Sequence, residues 1–184
     1  MPTMTIIRAL PGSGKTFAAR PLIEAGAAHA SADLWPALYP GVDSDGRPTI
    51  DVTQFDPAHA ASLRTAIEAI QSGRDVVVDN TNLSTDEVLP YVAIAQAFRA
   101  DCEIVTLTVD PQTAFERNTH GVPYAVVRNN ESGEIRKTYA FGEGAGEGET
   151  VVGGFATMIA TFEAFKAPFH WQFLPWLSTR LVTA

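Results

Sequence analysis

A glycine-rich segment near the start of the chain carries residue types that bind phosphate. It runs Ala9-Leu10-Pro11-Gly12-Ser13-Gly14-Lys15-Thr16. Glycines let successive backbone N–H groups point at phosphate oxygens. A lysine in this position reaches the terminal phosphates, and a threonine hydroxyl can bind a magnesium ion. The spacing predicts a phosphate-binding P-loop in which the nucleotide contacts come from Pro11, Gly12, Ser13, Gly14, Lys15 and Thr16.

The first position of this loop departs from the strict pattern, which begins with glycine and here has Ala9. The Gly-Ser-Gly-Lys-Thr core that follows is intact, so we expect the change to be tolerated. The added methyl group could narrow the loop near the outer phosphate.

Four further polar side chains are predicted to lie at the same edge of a sheet as this loop. Asp33 ends a short apolar stretch, Asp79 and Asn80 follow the valines at 76–78, and Arg117 lies one helix beyond the next strand. In parallel α/β sheets, functional groups collect at the carboxyl ends of the strands. Phosphoryl transfer needs a cation on the phosphate, a carboxylate for the proton of the attacking hydroxyl, and an arginine for the transition-state charge.

Each of these side chains also has a purely structural alternative. Asp33 could cap a helix, and Asp79 could simply close a buried strand. Arg117 could pair with Glu116 or Glu87 at the surface. The sequence assigns no catalytic role to the four histidines, which are His29, His59, His120 and His170.

The elements that must position these groups alternate along the chain. Strands are predicted at residues 4–10, 29–33, 75–79 and 101–109, and helices at 16–25, 56–73, 84–99 and 110–117. Three consecutive valines are typical of a strand that is buried on both faces, as in a parallel sheet. The alternation predicts an α/β fold in which helices flank a parallel sheet of about five strands.

The remainder of the chain is less regular. A further helix is predicted to start at Pro123. The glycine- and glutamate-rich residues of about 142–154 indicate a mobile loop, whose carboxylates could alternatively bind a metal. An amphipathic helix from Phe155 to Phe165 follows. The aromatic tail at 169–177 is expected to pack as a last strand or as cover for the sheet, with a substrate platform as the alternative.

Length and composition limit the classes of protein. A chain of 184 residues, 46% of them hydrophobic, predicts one domain spanning residues 1–184. The net charge of −8 argues against broad binding of nucleic acid, although a local basic groove is compatible with it. No apolar run approaches the ~20 residues of a membrane span, and the apolar N-terminus is too short for a secretory signal. With a single cysteine, Cys102, the composition fits a reducing compartment. We therefore expect a cytoplasmic protein with no membrane partner.

Four motifs taken together resemble the polynucleotide-kinase-like P-loop kinases. They are the P-loop core at 11–16, Ser-Ala-Asp at 31–33, Val-Asp-Asn-Thr-Asn-Leu at 78–83 and Arg-Asn-Thr-His-Gly-Val-Pro at 117–123. The resemblance covers about residues 3–130. It implies transfer of the γ-phosphate of ATP, with Mg²⁺, to a hydroxyl group, typically the 5′-OH of DNA or RNA.

The resemblance also implies roles for the residues that bind ATP and for the general base. Lys15 and Thr16 would bind phosphate and magnesium, and Asp33 would be the general base that takes the proton of the acceptor hydroxyl. Arg117 would clamp the ATP phosphates from a helical lid of about residues 117–130, which closes over ATP and excludes water.

On the acceptor side, the resemblance implies that Asp79 and Asn80 hold the acceptor or a metal-bound water, with Asp79 also a metal ligand and Asn82 a further substrate contact. Members of the family commonly have an arginine three residues after the base, which binds a phosphate of the acceptor. This chain has Pro36 there, so that phosphate is held otherwise or is absent. Trp35 could instead stack on a base.

This departure leaves the acceptor open. It could be the 5′-OH of a nucleic acid or a nucleotide. Related phage-type kinases phosphorylate 5-hydroxymethyluracil in DNA during thymine hypermodification, which would place the protein in a bacterial or phage-infected cell. A zeta-toxin-like kinase acting on a sugar nucleotide is a further alternative. A non-enzymatic ATP-binding switch is the last, and the general base argues against it because a switch needs no acceptor base.

Overall fold

Strands and helices alternate in the computed structural model, which describes residues 1–44, 46–139, 141, 145–164 and 176–183. The strands within these ranges are β1 Thr3–Arg8, β2 Ala28–Ala30, β3 Gly41–Val42, β4 Pro48–Thr49, β5 Val76–Asp79, β6 Asp101–Thr108, β7 Val126–Asn129, β8 Ile135–Lys137, β9 Glu149–Gly153 and β10 Leu177–Thr183. The helices are α1 Lys15–Glu24, α2 Phe55–Gln71, α3 Thr85–Ala97, α4 Pro111–Glu116 and α5 Phe155–Ala164. Short 3-10 turns lie at Ala32–Leu34, Pro36–Leu38 and Val52–Gln54.

The central sheet has five parallel strands in the order β10-β6-β1-β5-β2. The strand β1 lies in the middle, so the loop that leaves it opens at the centre of the carboxyl edge. Helices flank the sheet, and the predicted α/β class is confirmed. The fifth strand is β10, which pairs with β6 through Leu177 and Cys102.

Both faces of the sheet are buried, as the valine run predicts. Side chains alternate between the faces along a strand. Val76 and Val78 therefore pack in the larger apolar cluster with residues of α2 and α3, whereas Val77 packs in a second cluster with Ala19 of α1. Because no polar residue interrupts the run, β5 can only be a central strand.

Two predicted helix starts are visible as side-chain caps. The Ser84 hydroxyl accepts a hydrogen bond from the backbone N–H of Glu87 at 3.4 Å, and α3 begins at the next residue. Asp110 accepts from the N–H of Thr113 at 2.9 Å, and proline occupies the first position of α4. These caps satisfy N–H groups that have no partner within the helix.

Arg8 at the end of β1 is a buried charge that joins three elements. Its guanidinium donates to the carbonyl oxygen of Leu83 at 2.6 Å and to that of Phe162 at 3.3 Å, and it lies 4.8 Å from the centre of the Phe162 ring. Burial lowers the pKa of Arg8 to about 10. The end of β1 is thereby tied to the start of α3 and to α5.

The segment after α4 differs from its prediction. Residues 117–125 form turns and coil, and the helix expected from Pro123 is wrong because Val126–Asn129 form β7. The lid is therefore not helical. Two consecutive β-branched valines favour a strand, and Val127 is fully buried between β8 and β9 in a three-stranded antiparallel sheet.

The glycine-rich loop is also shorter than predicted. Its last part, Glu149–Gly153, forms β9 and pairs antiparallel with β7, because Thr150 and two valines favour extended backbone. Residues 142–144 of this loop, Phe165 and the tail at 169–175 lie outside the described residues. The last strand, β10, begins at Leu177 and so shares only that residue with the predicted segment at 169–177. No helix in the described ranges is long and apolar enough to cross a membrane.

Candidate active site

The P-loop connects β1 to α1 and is packed against the end of α4. Gly12 has φ +78° and Gly14 has φ +83°, both in the left-handed region that favours glycine. A Cβ atom at Gly12 would lie 2.0 Å from the carbonyl oxygen of Ala114 and 3.0 Å from the backbone nitrogen of Asn118. Only glycine fits at this position, whereas a Cβ atom at Gly14 would meet no atom within 4 Å.

Ala9, the departure from the strict loop pattern, is accommodated by the core. It is fully buried in the same cluster as Ala19 and Val77. Its N–H donates to the carbonyl oxygen of Thr81 at 3.0 Å. Its methyl group does not line the cavity beside the loop, so the expected narrowing near the outer phosphate is absent from this structure.

Lys15 and Thr16 occupy the first turn of α1 and face different partners. Lys15 is half-buried, and its ammonium donates to the carbonyl oxygen of Leu10 at 3.1 Å. Burial lowers the pKa of Lys15, while Asp79 and Asp33 oppose that shift. The ammonium therefore lies close enough to both carboxylates that the sequence predicts for the site to be stabilised by their charge.

The Thr16 hydroxyl donates to the Asp79 carboxylate (Oδ2) at 2.9 Å, so the predicted magnesium residues are in contact. Asp79 is 5% exposed, and the same oxygen lies 3.3 Å from Nε2 of His29. Hydroxyl and carboxylate oxygens suit Mg²⁺. Within the described residues no group of three or more His, Cys, Asp or Glu side chains could hold a metal by itself. A magnesium ion here needs further oxygens from the nucleotide or from water.

Asp33 lies in the 3-10 turn that follows β2, and this turn is tied to the end of β5. The Ser31 hydroxyl donates to the carbonyl oxygen of Asp79 at 2.8 Å and accepts from the N–H of Asp33 at 3.3 Å. The N–H of Ala32 donates to the side-chain oxygen of Asn80 at 2.8 Å. The Asp33 side chain is 50% exposed and lines the same cavity as Lys15.

The two asparagines predicted to contact substrate are engaged in the fold as well. The Asn80 amide nitrogen donates to the hydroxyls of Ser62 and Tyr91, both at 3.1 Å. The Asn82 amide nitrogen donates to the carbonyl oxygen of Ile7 at 2.7 Å, and its backbone has φ +49°. Both residues border the cavity, but these contacts make them positioning residues for the Asp33 turn and the exit of β5.

Two residues beside Asp33 were not predicted from the sequence. The Tyr39 hydroxyl donates to Oδ1 of Asp33 at 2.6 Å and lies 3.1 Å from Nδ1 of His120. The Tyr39 and His120 rings stack with their centres 5.5 Å apart, and Nε2 of His120 lies 3.7 Å from Oδ2 of Asp33. Burial and the Asp33 hydrogen bond raise the pKa of Tyr39, so its hydroxyl stays a donor. His120 was interpreted as a loop residue, and its place between Arg117 and Pro123 was the one available signal.

The structure does not bring Arg117 and Trp35 into the cavity. Arg117 is exposed at the end of α4, and its side chain has no hydrogen-bond or ion-pair partner in the part of the chain that is described. The Trp35 ring nitrogen donates to the side-chain oxygen of Gln54 at 3.1 Å, and the ring packs on a small cluster with Leu38 and Ala58. Among the predicted residues, Lys15, Asp33, Asn80 and Asn82 line the cavity, and Thr16 and Asp79 are hydrogen-bonded to each other.

Comparisons with known proteins agree with the fold. Residues 4–121 match a family model described as an AAA domain. NEDD4-binding protein 2 from Homo sapiens is 31% identical over 126 residues, which is 65% of this chain and 7% of that protein. Two solved structures share the fold at a TM-score of 0.51. One is a candidate kinase from Chloroflexus aurantiacus, at 16% identity over 63% of each chain. The other is in the Pnkp1/Rnl/Hen1 complex, at 17% identity over 76% of this chain and 46% of that one. The chain thus spans less than two thirds of each of these relatives.

Proposed function

This chain belongs to the family of AAA domains, and from that premise we propose that it is an ATP-dependent kinase that transfers the γ-phosphate to a hydroxyl of a nucleic acid or nucleotide acceptor. One observation carries the proposal. The ammonium of Lys15 and the half-exposed carboxylate of Asp33 line a single cavity of about 610 Å³. A protein that only binds nucleotide needs the first group and has no use for the second.

The donor side of the cavity suits the triphosphate of ATP. The backbone N–H groups of the P-loop and the ammonium of Lys15 bind phosphate oxygens. Thr16 and Asp79 would hold Mg²⁺ through their oxygen atoms, and the ion supplies positive charge that neutralises the phosphates. The depressed pKa of free Lys15 would return toward its ordinary value once phosphate binds, because an anion favours the charged ammonium.

Asp33 would serve as the general base on the acceptor side. Its carboxylate accepts the proton as the acceptor O–H bond breaks, the acceptor oxygen bonds to the γ-phosphorus, and the bond from that phosphorus to the ADP oxygen breaks. Tyr39 donates to Oδ1 of Asp33, and Oδ2, which lies 3.7 Å from Nε2 of His120, is left to accept from the acceptor hydroxyl. Asp33 and Tyr39 thus fix the direction from which the hydroxyl approaches.

Arg117 would act as the mobile cation that completes the site. Its neighbours Ala114 and Asn118 are the residues that touch Gly12 of the P-loop. Because Arg117 lies between these two residues in the sequence, its backbone is held close to the P-loop, and a change of its side-chain rotamer would direct the guanidinium toward phosphates held by the loop. Closure of the segment from Arg117 to His120 would then place charge on the transferring group and shield it from water.

The experiment is a transfer assay with γ-labelled ATP, Mg²⁺ and a panel of acceptors. The panel contains a 5′-OH oligonucleotide, DNA that contains 5-hydroxymethyluracil, nucleosides and a sugar nucleotide. We expect label on one class of acceptor. Lys15→Met should abolish the label, which excludes a contaminating kinase as its source. An ATP-binding switch would bind ATP and label no acceptor, and that result would refute the proposal.

A further inference from the structure

We call the lining other than Pro11 and Lys15 of the P-loop the acceptor half of the cavity. Its surface is mainly apolar, and its walls come from elements far apart in the sequence. The 3-10 turn before Tyr39 contributes Leu38, and the stretch before α2 contributes Ile50. The helix α2 contributes Phe55 and Leu63, and α5 contributes Met158. An acceptor that enters beside Asp33 is therefore enclosed mainly by carbon atoms, which favour a ligand with apolar surface.

The charges that line this half of the cavity are negative. Lys15 is the only lysine or arginine among the described residues of the lining, and it is assigned to the nucleotide. The carboxylates are Asp33, Asp86 and Glu87. The charge of Glu87 is partly compensated, because the buried guanidinium of Arg8 lies near it and its oxygens accept from the N–H of Leu83 and the hydroxyl of Ser84. No fixed cation is left for a phosphate on the acceptor.

A phosphate in this half of the cavity would be unfavourable on two counts. It would lose its water shell without gaining an ionic partner, and it would lie near carboxylates of like charge. An uncharged group avoids both penalties.

Aromatic side chains border the same space and favour a planar ligand. Tyr39, Phe55 and Tyr91 line the cavity together with the imidazole of His120. Aromatic rings and nucleobases stack without regard to base identity. The volume of about 610 Å³ admits a group the size of a nucleoside.

Resting on the kinase function above, we propose that the acceptor hydroxyl is carried by the uncharged ring portion of a nucleoside or nucleic acid, with no phosphate inside the cavity. This disfavours the 5′-OH end of a polynucleotide. A 5′-terminal nucleotide carries its 3′-phosphate on the same sugar as the reacting hydroxyl, so the phosphate would enter with it. A free nucleoside fits, and so does a base in DNA whose backbone stays outside.

The surface beside the cavity distinguishes these two sources. Arg47 is exposed on the turn between β3 and β4, and its side chain would lie 3.8 Å from a Cβ atom at Gly121, next to His120. It is not part of the lining. A backbone phosphate could contact Arg47 while the base occupies the cavity, whereas a free nucleoside has no group that reaches it.

The test compares kcat/KM within two acceptor pairs, one whose members differ by a phosphate and one whose members differ in whether a phosphate must enter the cavity with the reacting hydroxyl. One pair is a nucleoside and its 3′-monophosphate, and the other is DNA containing 5-hydroxymethyluracil and a 5′-OH oligonucleotide of the same sequence with thymine. In each pair we expect the member that brings no phosphate into the cavity to be preferred at least about tenfold, which is the size of a lost or opposed ionic contact. Equal use, or preference for the 3′-monophosphate or the 5′-OH end, would overturn the inference. Transfer to no acceptor would instead refute the kinase function itself.

Charge reversal at the cavity provides a second measurement. Asp86→Lys and Asp56→Lys each replace an exposed acid in the first turn of a helix, but only Asp86 lines the cavity. Asp86→Lys should shift the ratio of kcat/KM for the two members of a pair toward the phosphorylated one by about tenfold, while Asp56→Lys leaves the ratio unchanged. An equal effect of the two variants would contradict the inference. Arg47→Gln distinguishes the two acceptors. If the acceptor is a base in DNA, the variant should lower kcat/KM for DNA alone. If it is a free nucleoside, the variant should change kcat/KM for neither acceptor.

Discussion

At the residue scale, the site depends on how Asp33 is held. Its turn is fixed by Ser31 and Asn80, and one of its oxygens is fixed by Tyr39. A general base must be held within reach of the proton that it removes. A base on an unsupported loop would lose activity through misplacement, so the residues around Asp33 should matter almost as much as Asp33 itself.

Tyr39→Phe tests this support directly. The variant removes the hydrogen bond to Oδ1 of Asp33 and keeps the ring that stacks on His120. We expect kcat to fall about tenfold, because a hydrogen bond to a charged group is worth roughly 1.5–3 kcal/mol, while the Kd for ATP stays constant. The control is Tyr124→Phe, whose ring packs on Phe115 outside the cavity. An unchanged kcat for Tyr39→Phe would show that the hydrogen bond from Tyr39 does not support Asp33 in the reaction.

The pKa of Lys15 leads to a pH dependence of nucleotide binding. Burial lowers this pKa from its ordinary value of 10.5. The ammonium that binds phosphate is present below the pKa and is lost as the pH rises through it. ATP affinity should therefore decline at a pH below 10.5, earlier than for an ordinary lysine.

Titration calorimetry between neutral and alkaline pH measures this decline. Lys15→Arg keeps its charge throughout the range, since the guanidinium does not lose its proton there. Its affinity is expected to be weaker but flat with pH. If the ATP affinities of the wild type and of Lys15→Arg declined in parallel with pH, a group other than Lys15 would be the cause.

The sequence points to the proposed donor residues but not to every residue around Asp33, and the reason lies in the spacing of these residues along the chain. Lys15 and Thr16 are recognisable because their neighbours in sequence form the whole loop. Tyr39 and His120 are 81 residues apart and meet only after folding. Neither position has a local pattern that distinguishes it, so their contact with Asp33 could not be deduced.

At the scale of elements, the P-loop and α4 behave as one packed unit. The Cβ position of Gly12 is occupied by the carbonyl oxygen of Ala114, whereas that of Gly14 is open. Both glycines have positive φ, so they form a matched pair. The difference between alanine substitutions at the two positions isolates the contact with α4.

Gly14→Ala should cost roughly 1–2 kcal/mol of unfolding free energy from its positive φ alone. Gly12→Ala has the same strain and in addition must displace α4, so we expect about 1–3 kcal/mol more. Urea unfolding monitored by tryptophan fluorescence gives both values. Equal losses of unfolding free energy in the two variants would show that α4 does not hold the loop. The proposed position of Arg117 beside the P-loop would then have no support.

The elements also show where local patterns suffice and where they do not. The strands β1, β5 and β6 were predicted because continuous apolar runs are typical of strands that are buried on both faces of a parallel sheet. The helix expected at Pro123 became a strand because Val127 is buried between β8 and β9, which are distant in sequence. The second strand stops at Ala30, since Ser31 caps the turn that presents Asp33.

At the scale of the whole molecule, Cys102 reports on the integrity of the sheet. It lies in β6 between Met4 of β1 and Leu177 of β10 and is 2% exposed. Burial raises the pKa of this thiol from 9.0 to about 12. The reactive thiolate forms only as the pH rises through that value, so at pH 8 the native protein should react with a disulfide reagent about a thousandfold more slowly than an exposed thiol.

Reaction of Cys102 should therefore require opening of the central sheet. Urea is expected to accelerate labelling in step with global unfolding. Saturating ATP is expected to slow it, because a ligand that binds only the native state lowers the population of open molecules. Fast labelling in native buffer that ATP does not affect would show that β10 detaches from β6 without global unfolding.

The central claim is that Asp33 removes the proton of an acceptor hydroxyl, and single-turnover transfer by Asp33→Asn tests it most directly. The variant keeps the shape of the side chain and its contact with Tyr39. We predict that the transfer rate falls by about 10²–10⁴, the usual contribution of general base catalysis, while the Kd for ATP changes less than about twofold. Asp56→Asn, an exposed acid outside the cavity, should leave both quantities unchanged. A transfer rate for Asp33→Asn near that of the wild type would contradict the account.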